Sequence, residues 1–132
     1  VSHRDLEAGP ELDRLVAEKV MGWTFIDRKI PSWQDEHGDY RFIGQVFQPS
    51  IQIAHAWEVV EHMQSKGFVP NVRGPGVYTV GDGYYKHDEW FVGLQSGAME
   101  AAAVYEQEGE AHAPTAPLAI CRAALAALGE KS

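Results

Sequence analysis

One cysteine in 132 residues, Cys121, leaves no partner for an intramolecular disulfide, so the fold has to stand on its apolar core. That usage suits a reducing compartment, and the sequence predicts a cytoplasmic protein. No apolar run approaches the ~20 residues that cross a bilayer as a helix. The opening Val1-Ser2-His3-Arg4 lacks the apolar stretch of a secretory leader. Residues 1–7 precede the first helix signal and are read as a disordered or cloning remnant. Basic residues are scarce: 11 Lys plus Arg stand against 19 acids, for a net charge of −8. A surface of that sign repels phosphate backbones and anionic lipid, so neither nucleic acid nor membrane is an expected partner. Internal repeats and low-complexity tracts are absent.

Catalytic signatures are missing as well. Ser96-Gly97 and Gly81-Asp82-Gly83 lack the flanking pattern of a nucleophile elbow or a phosphate loop. His55, Glu58 and His62 share a helix face, and two imidazoles with a carboxylate are good zinc ligands. The two histidines, however, lie two turns apart, about 10 Å along the axis. A solvated helix face is the better reading. Asp35, Glu36, His37 and Asp39 lack the spacing of a calcium loop and read as a polar turn. In His87-Asp88-Glu89 neighbouring strand residues point to opposite faces, which breaks up an acid–base pair. Cys121 falls on an apolar helix stripe with Leu118 and Leu125, where a structural thiol is expected rather than a nucleophile. The reading is a non-enzymatic protein with no metal and no cofactor.

What is present builds a core. Hydrophobic residues make up 45% of the chain, including four Trp and five Phe, enough for one domain over residues 1–132 without metal or disulfide support. Helical spacing of Leu12, Leu15, Val16 and Val20 predicts a helix over 10–21, opened by Gly9-Pro10 and stopped by Gly22. Ile53, Ala56, Trp57, Val60 and Met63 predict a second over 51–66, capped by Ser50 and ended by Gly67. Leu118, Cys121, Leu125 and Leu128 form the stripe of a third over 116–128, capped by Thr115. Trp57 and Leu125 are expected to be more than nine-tenths buried.

Strands are expected at Trp23–Ile26, Phe68–Val72 and Val77–Val80. Another comprises Tyr84-Tyr85 and Trp90–Leu94, with a break around His87-Asp88. Residues 98–110 admit two readings, a helix over Ala98–Ala103 or a strand at Val104–Gln107; a fourth sheet strand is favoured, because Trp90–Leu94 otherwise lacks a hairpin partner. Residues 27–49, punctuated by Pro31, Gly38 and Pro49, read as an irregular loop. The fold class is α+β, a helix–sheet–helix arrangement of three amphipathic helices on a mostly antiparallel sheet of three to four strands. From Ser50 onward the element order matches a double-stranded RNA-binding domain in topology alone. The start of the final helix, Thr115-Ala116-Pro117-Leu118-Ala119-Ile120, has no Lys to hold phosphate.

Two binding features stand out. Arg73, Tyr84, Tyr85, Lys86 and Trp90 cluster around the Gly74-Pro75-Gly76 turn. Glycines admit a ligand to backbone N–H groups, aromatics supply a stacking face, and a cation offsets phosphate. A nucleotide-like ligand, held within one chain or across a homo-oligomer interface, fits that set. Arg122, among Ala119, Ala123 and Ala126, could grip an anion or a partner carboxylate. The leading expectation is different: the acidic excess steers the molecule toward the basic surface of a protein partner.

Three stretches carry a family resemblance. They are Ala8-Gly9-Pro10-Glu11-Leu12-Asp13 running on through Val16-Ala17-Glu18-Lys19-Val20-Met21-Gly22-Trp23, then Ala56-Trp57-Glu58-Val59-Val60-Glu61, then Leu118-Ala119-Ile120-Cys121-Arg122-Ala123-Ala124-Leu125. In this order they resemble the phage ABA sandwich domain family, small proteins encoded by phages and prophages. The resemblance implies helix–sheet–helix layering and supplies no catalytic residues. It implies the role of a phage accessory protein that binds a host factor, such as an inhibitor of host defence.

Overall fold

The computed structural model describes residues 6–26, 32–34, 40–42, 47–80, 83–96 and 107–129. The first helix, α1 (Pro10–Leu15), runs straight into a π-helical continuation, Val16–Val20, so together they fill the expected span. The wider winding shows in the bond from Met21 N–H to the Val16 carbonyl, 3.0 Å, five residues back. Gly22 follows at φ 73°, a conformation that costs a side-chain-bearing residue and ends the helix.

Helix α2 (Ile53–Ser65) begins two residues later than expected. Gln52 occupies the cap position with no side-chain capping bond, and Ser50 has another task. Its hydroxyl accepts from Gly9 N–H at 2.9 Å, and its own N–H donates to the Asp13 carboxylate at 2.8 Å. Ser50 therefore rivets the entry of α2 to the start of α1. The buried stripe of α2 is Ala56, Val59, Val60 and Met63. Two expected members fall outside it: Ile53 is 55% exposed and Trp57 is 46% exposed. The expectation of a nine-tenths buried Trp57 is overturned, because the buried arc is centred about a quarter turn away from the Ile53–Trp57 line, which leaves Trp57 beyond its edge.

Helix α3 (Ala116–Ala127) starts as expected. Thr115 Oγ1 accepts from Leu118 N–H at 3.4 Å, and Pro117 sits in the first turn. It is not one-sided, however. Ten of its twelve residues are buried, including Leu125 at 1% exposure, so it is the central element of the core. It packs on the sheet on one side and on α2 and the π-helical segment on the others.

The main sheet is antiparallel, in the order β4 (Val69–Arg73), β7 (Trp90–Ser96), β8 (Gln107–Ala113). Strand β8 is the expected partner of Trp90–Leu94, displaced toward the C-terminus from Val104–Gln107. Residues 97–106 lie outside the described ones. Rungs Val72–Val92–Ala111 and Pro70–Leu94–Gly109 face the helices, and Asn71–Gly93–Glu110 and Arg73–Phe91–His112 face away. Helix α3 lies so close on β8 that a Cβ on Gly109 would collide with the backbone of Ala123 and Ala127.

The expected strand with a break resolves into two. Strand β6 (Gly83–His87) pairs with β5 (Gly76–Val80) as a separate hairpin, while β7 joins the main sheet. Residues 74 and 75 on one side oppose 88–90 on the other. The ladder slips by one residue there, as at a β-bulge. The segment read as an irregular loop contains two short strands, β2 (Ser32–Gln34) and β3 (Tyr40–Phe42), which extend β1 (Thr24–Ile26) into a small antiparallel sheet. Backbone pairing of three-residue strands needs little apolar alternation, so periodicity does not reveal them.

Candidate functional site

The cations and aromatics around the Gly74-Pro75-Gly76 turn are distributed over different elements. Arg73 ends β4, exposed, on the sheet face turned away from the helices. Trp90 begins β7 in the opposite orientation, half-buried against the core, with its ring 3.3 Å from where a Cβ of Gly74 would stand. Adjacent strand positions alternate, so Arg73, paired with Phe91, and Trp90 serve opposite faces. Tyr84, Tyr85 and Lys86 lie on β6, facing Thr79, Tyr78 and Val77 across the hairpin. Their side chains are outside what the structure describes. Arg122 has a partner: its Nε and Nη2 donate to the Leu6 carbonyl at 3.1 and 2.8 Å, strapping the N-terminal segment onto α3.

His55 has a structural role too. His55 Nδ1 accepts from Gln48 N–H at 2.9 Å, and its ring stacks on Phe47 at 6.1 Å. Phe47 in turn meets Trp23 at 4.5 Å. His55 thereby holds the chain leading into α2. Among the described residues no group of three or more His, Cys, Asp or Glu is placed to hold a metal ion. Asp35, Glu36, His37 and Asp39 lie outside those residues. Asp88 and Glu89 are exposed at the slip between β6 and β7. Cys121 is fully buried, and desolvation pushes its thiol well above the ordinary range, aided by the nearby Asp13 carboxylate. It stays protonated and unreactive.

The feature without a structural task is apolar. Ile51, in the turn before α2, and Ile53 are each 55% exposed, and Trp57 follows one turn later at 46%. Ile53 and Trp57 are four apart, so they form one line on the helix surface. Glu61 continues the same flank and is exposed. The pattern was present in the sequence, but a Trp at helical spacing with Val60 and Met63 is read as core by default. The signal that distinguishes it is Val59: adding it to Ala56, Val60 and Met63 completes a buried arc that leaves Trp57 at the edge. An exposed Trp with two Ile neighbours is the composition of a protein-binding anchor.

No helix of the described residues is long and apolar enough to cross a membrane. A search of curated proteins returns no match. Among solved structures, a phage protein from Bacillus cereus is similar at a TM-score of 0.55 and 22% identity, over 93% of this chain and 94% of that one. At that identity the likeness concerns the fold. The family model for the phage ABA sandwich domain matches residues 14–125, which takes in most of the central α3, both β4 and β7, and the exposed face of α2. The chain belongs to the phage ABA sandwich domain family.

Proposed function

We propose that this protein is a non-enzymatic phage accessory factor that works by docking onto a host protein, as an inhibitor of a host defence enzyme would. The observation that carries this reading is the exposure of Ile51, Ile53 and Trp57, large apolar side chains held out by α2 and the turn that leads into it. Leaving such groups in water sacrifices about 25 cal/mol per Å² of burial, which a partner recovers. Rigid presentation keeps the entropy cost of binding low. The groups best suited to chemistry support the same reading, since Cys121 is sealed in the core and His55 and Arg122 are bonded to backbone. The alternative, a nucleotide-like ligand at Arg73, Tyr84, Tyr85, Lys86 and Trp90, gains no support from Arg73 and Trp90 facing opposite ways.

The test is site-specific. A photo-crosslinking residue at position 57, expressed in the bacterial host, should trap one host protein, and one at position 110, on the far sheet face, should not. Trapping at neither position removes the reading. Metal analysis of the native protein should find no stoichiometric zinc, iron or manganese.

A further inference from the structure

The chemistry around Trp57 says more about the partner than that it is a protein. From residue 42 to residue 65 the chain has no Lys or Arg, while Glu58 and Glu61 lie beside Trp57 on α2. The nearest base in sequence, Lys66, comes after the helix has ended. The exposed face of α2 therefore carries an apolar line, Ile53–Trp57, with the exposed Glu61 one turn beyond Trp57 and no Lys or Arg on the helix itself.

We infer that this face docks into an apolar socket rimmed by Lys or Arg on another protein, with Trp57 filling the socket and Glu61 meeting the rim. The inference rests on the protein-binding reading above and specifies the partner's chemistry. Three half-exposed side chains supply only part of the ~800 Å² per partner that a lasting complex buries. The rest of the recognition has to come from the polar rim, and the rim on this side is acidic. A second copy of the chain is a poor occupant. Packed about a two-fold axis, the same acid-flanked face would meet itself, between molecules that each carry −8. A basic partner turns both the local acids and the overall charge to advantage.

The probe is a pair of synthetic amphipathic helical peptides, one of Leu and Lys and one of Leu and Glu, followed by fluorescence anisotropy. The Leu/Lys peptide should bind the intact protein and the Leu/Glu peptide should not. Trp57→Ala and Glu61→Lys should each weaken binding by at least about ten-fold. Glu110→Lys, the same charge change on the exposed far face of the sheet, should change it less than two-fold or so. If Trp57→Ala loses cooperative unfolding, Ile53→Ser at the neighbouring exposed position takes its place.

Equal binding of both peptides overturns the inference. So does an equal loss from Glu110→Lys, which would reduce the effect to net charge. A wild-type dimer in sedimentation that Trp57→Ala dissolves would install a second copy as the occupant and overturn it too. The host crosslinking experiment separates the two levels. A trapped host protein whose contact site lacks Lys and Arg removes the basic socket and leaves the docking function standing.

Discussion

At the scale of single residues, Trp57 and Gly109 mark where chemistry and packing part company. A Trp is assigned to the core because it offers the largest apolar area, yet nearly half of this one meets solvent. Trp57→Ala should therefore lower unfolding free energy by no more than about 1.5 kcal/mol. Leu125→Ala, at 1% exposure in the central helix, should cost about 2–5 kcal/mol. Urea unfolding measures both, and a Trp57 cost as large as that of Leu125 would return it to the core. Gly109 looks like a flaw in a strand. In the fold it is the only side chain small enough for α3 to lie against β8, since a Cβ there would stand 2.6 Å from Ala127 Cα and closer still to neighbouring backbone atoms. Backbone cannot yield as a side-chain tip can, so Gly109→Ala should cost about 3 kcal/mol or more. Gly93→Ala, whose Cβ would meet Phe91 at an ordinary 3.4 Å, should be nearly neutral. Periodicity cannot foresee the neighbours of Gly109, because they come from α3, 14 or more residues away.

At the scale of elements, helix existence was legible and helix joints were not. All three helices follow from apolar spacing, and Thr115 and Pro117 mark the start of α3 as read. The rivet of Asp13, Ser50 and Gly9 joins positions about 40 apart, and no local signal announces it. Ser50 looks like a cap in sequence because caps and rivets use the same hydroxyl. Burial raises the Asp13 carboxyl above its ordinary 3.8, outweighing the hydrogen bonds from Ser50 and the charge of His55, which pull it down. The folded state thus holds this proton more tightly than the unfolded chain. The stability it contributes is fully present below the unfolded pKa and is lost as pH rises through the folded one. Asp13→Asn keeps an acceptor for the Ser50 N–H without a charge to desolvate. Its stability relative to wild type should climb across that acidic window and then level off toward neutrality. Urea unfolding of both proteins from about pH 3 to about pH 7 reads this directly, and a flat difference would deny Asp13 the raised value. Asp13→Ala, which strands a buried N–H, should instead cost about 1–3 kcal/mol. The Arg122 clasp on Leu6 works the same way on the chain just ahead of α1. Arg122→Ala should speed amide hydrogen exchange and proteolysis near residues 6–9 while leaving the protection of β7 unchanged.

At the scale of the whole molecule, the α+β class and the antiparallel sheet were legible because patterning and composition fix them together. The division of the strands was less so. A single run from Tyr84 to Leu94 belongs to two sheets because the ladder slips at Asp88–Glu89, and a slip by one residue leaves no mark on hydrophobicity. That division bears directly on the choice between docking a protein and holding a small molecule. A nucleotide needs its cation and its stacking ring on one wall of one cleft, whereas Arg73 faces away from the helices and Trp90 packs toward them. A ligand present at 100 times its dissociation constant adds about 2.7 kcal/mol of stability. In a domain of this size that raises the melting temperature by roughly 10 °C. A thermal-shift screen of nucleotides and cyclic nucleotides should produce no rise of that size. The informative contrary result is a rise that Arg73→Ala and Trp90→Phe both abolish. Neither residue touches the α2 face, so such a loss would place a true ligand at the turn and make small-molecule capture the better account. A rise that survives both substitutions would locate the ligand elsewhere and leave the opposed placement of Arg73 and Trp90 as the reason the turn does not bind it.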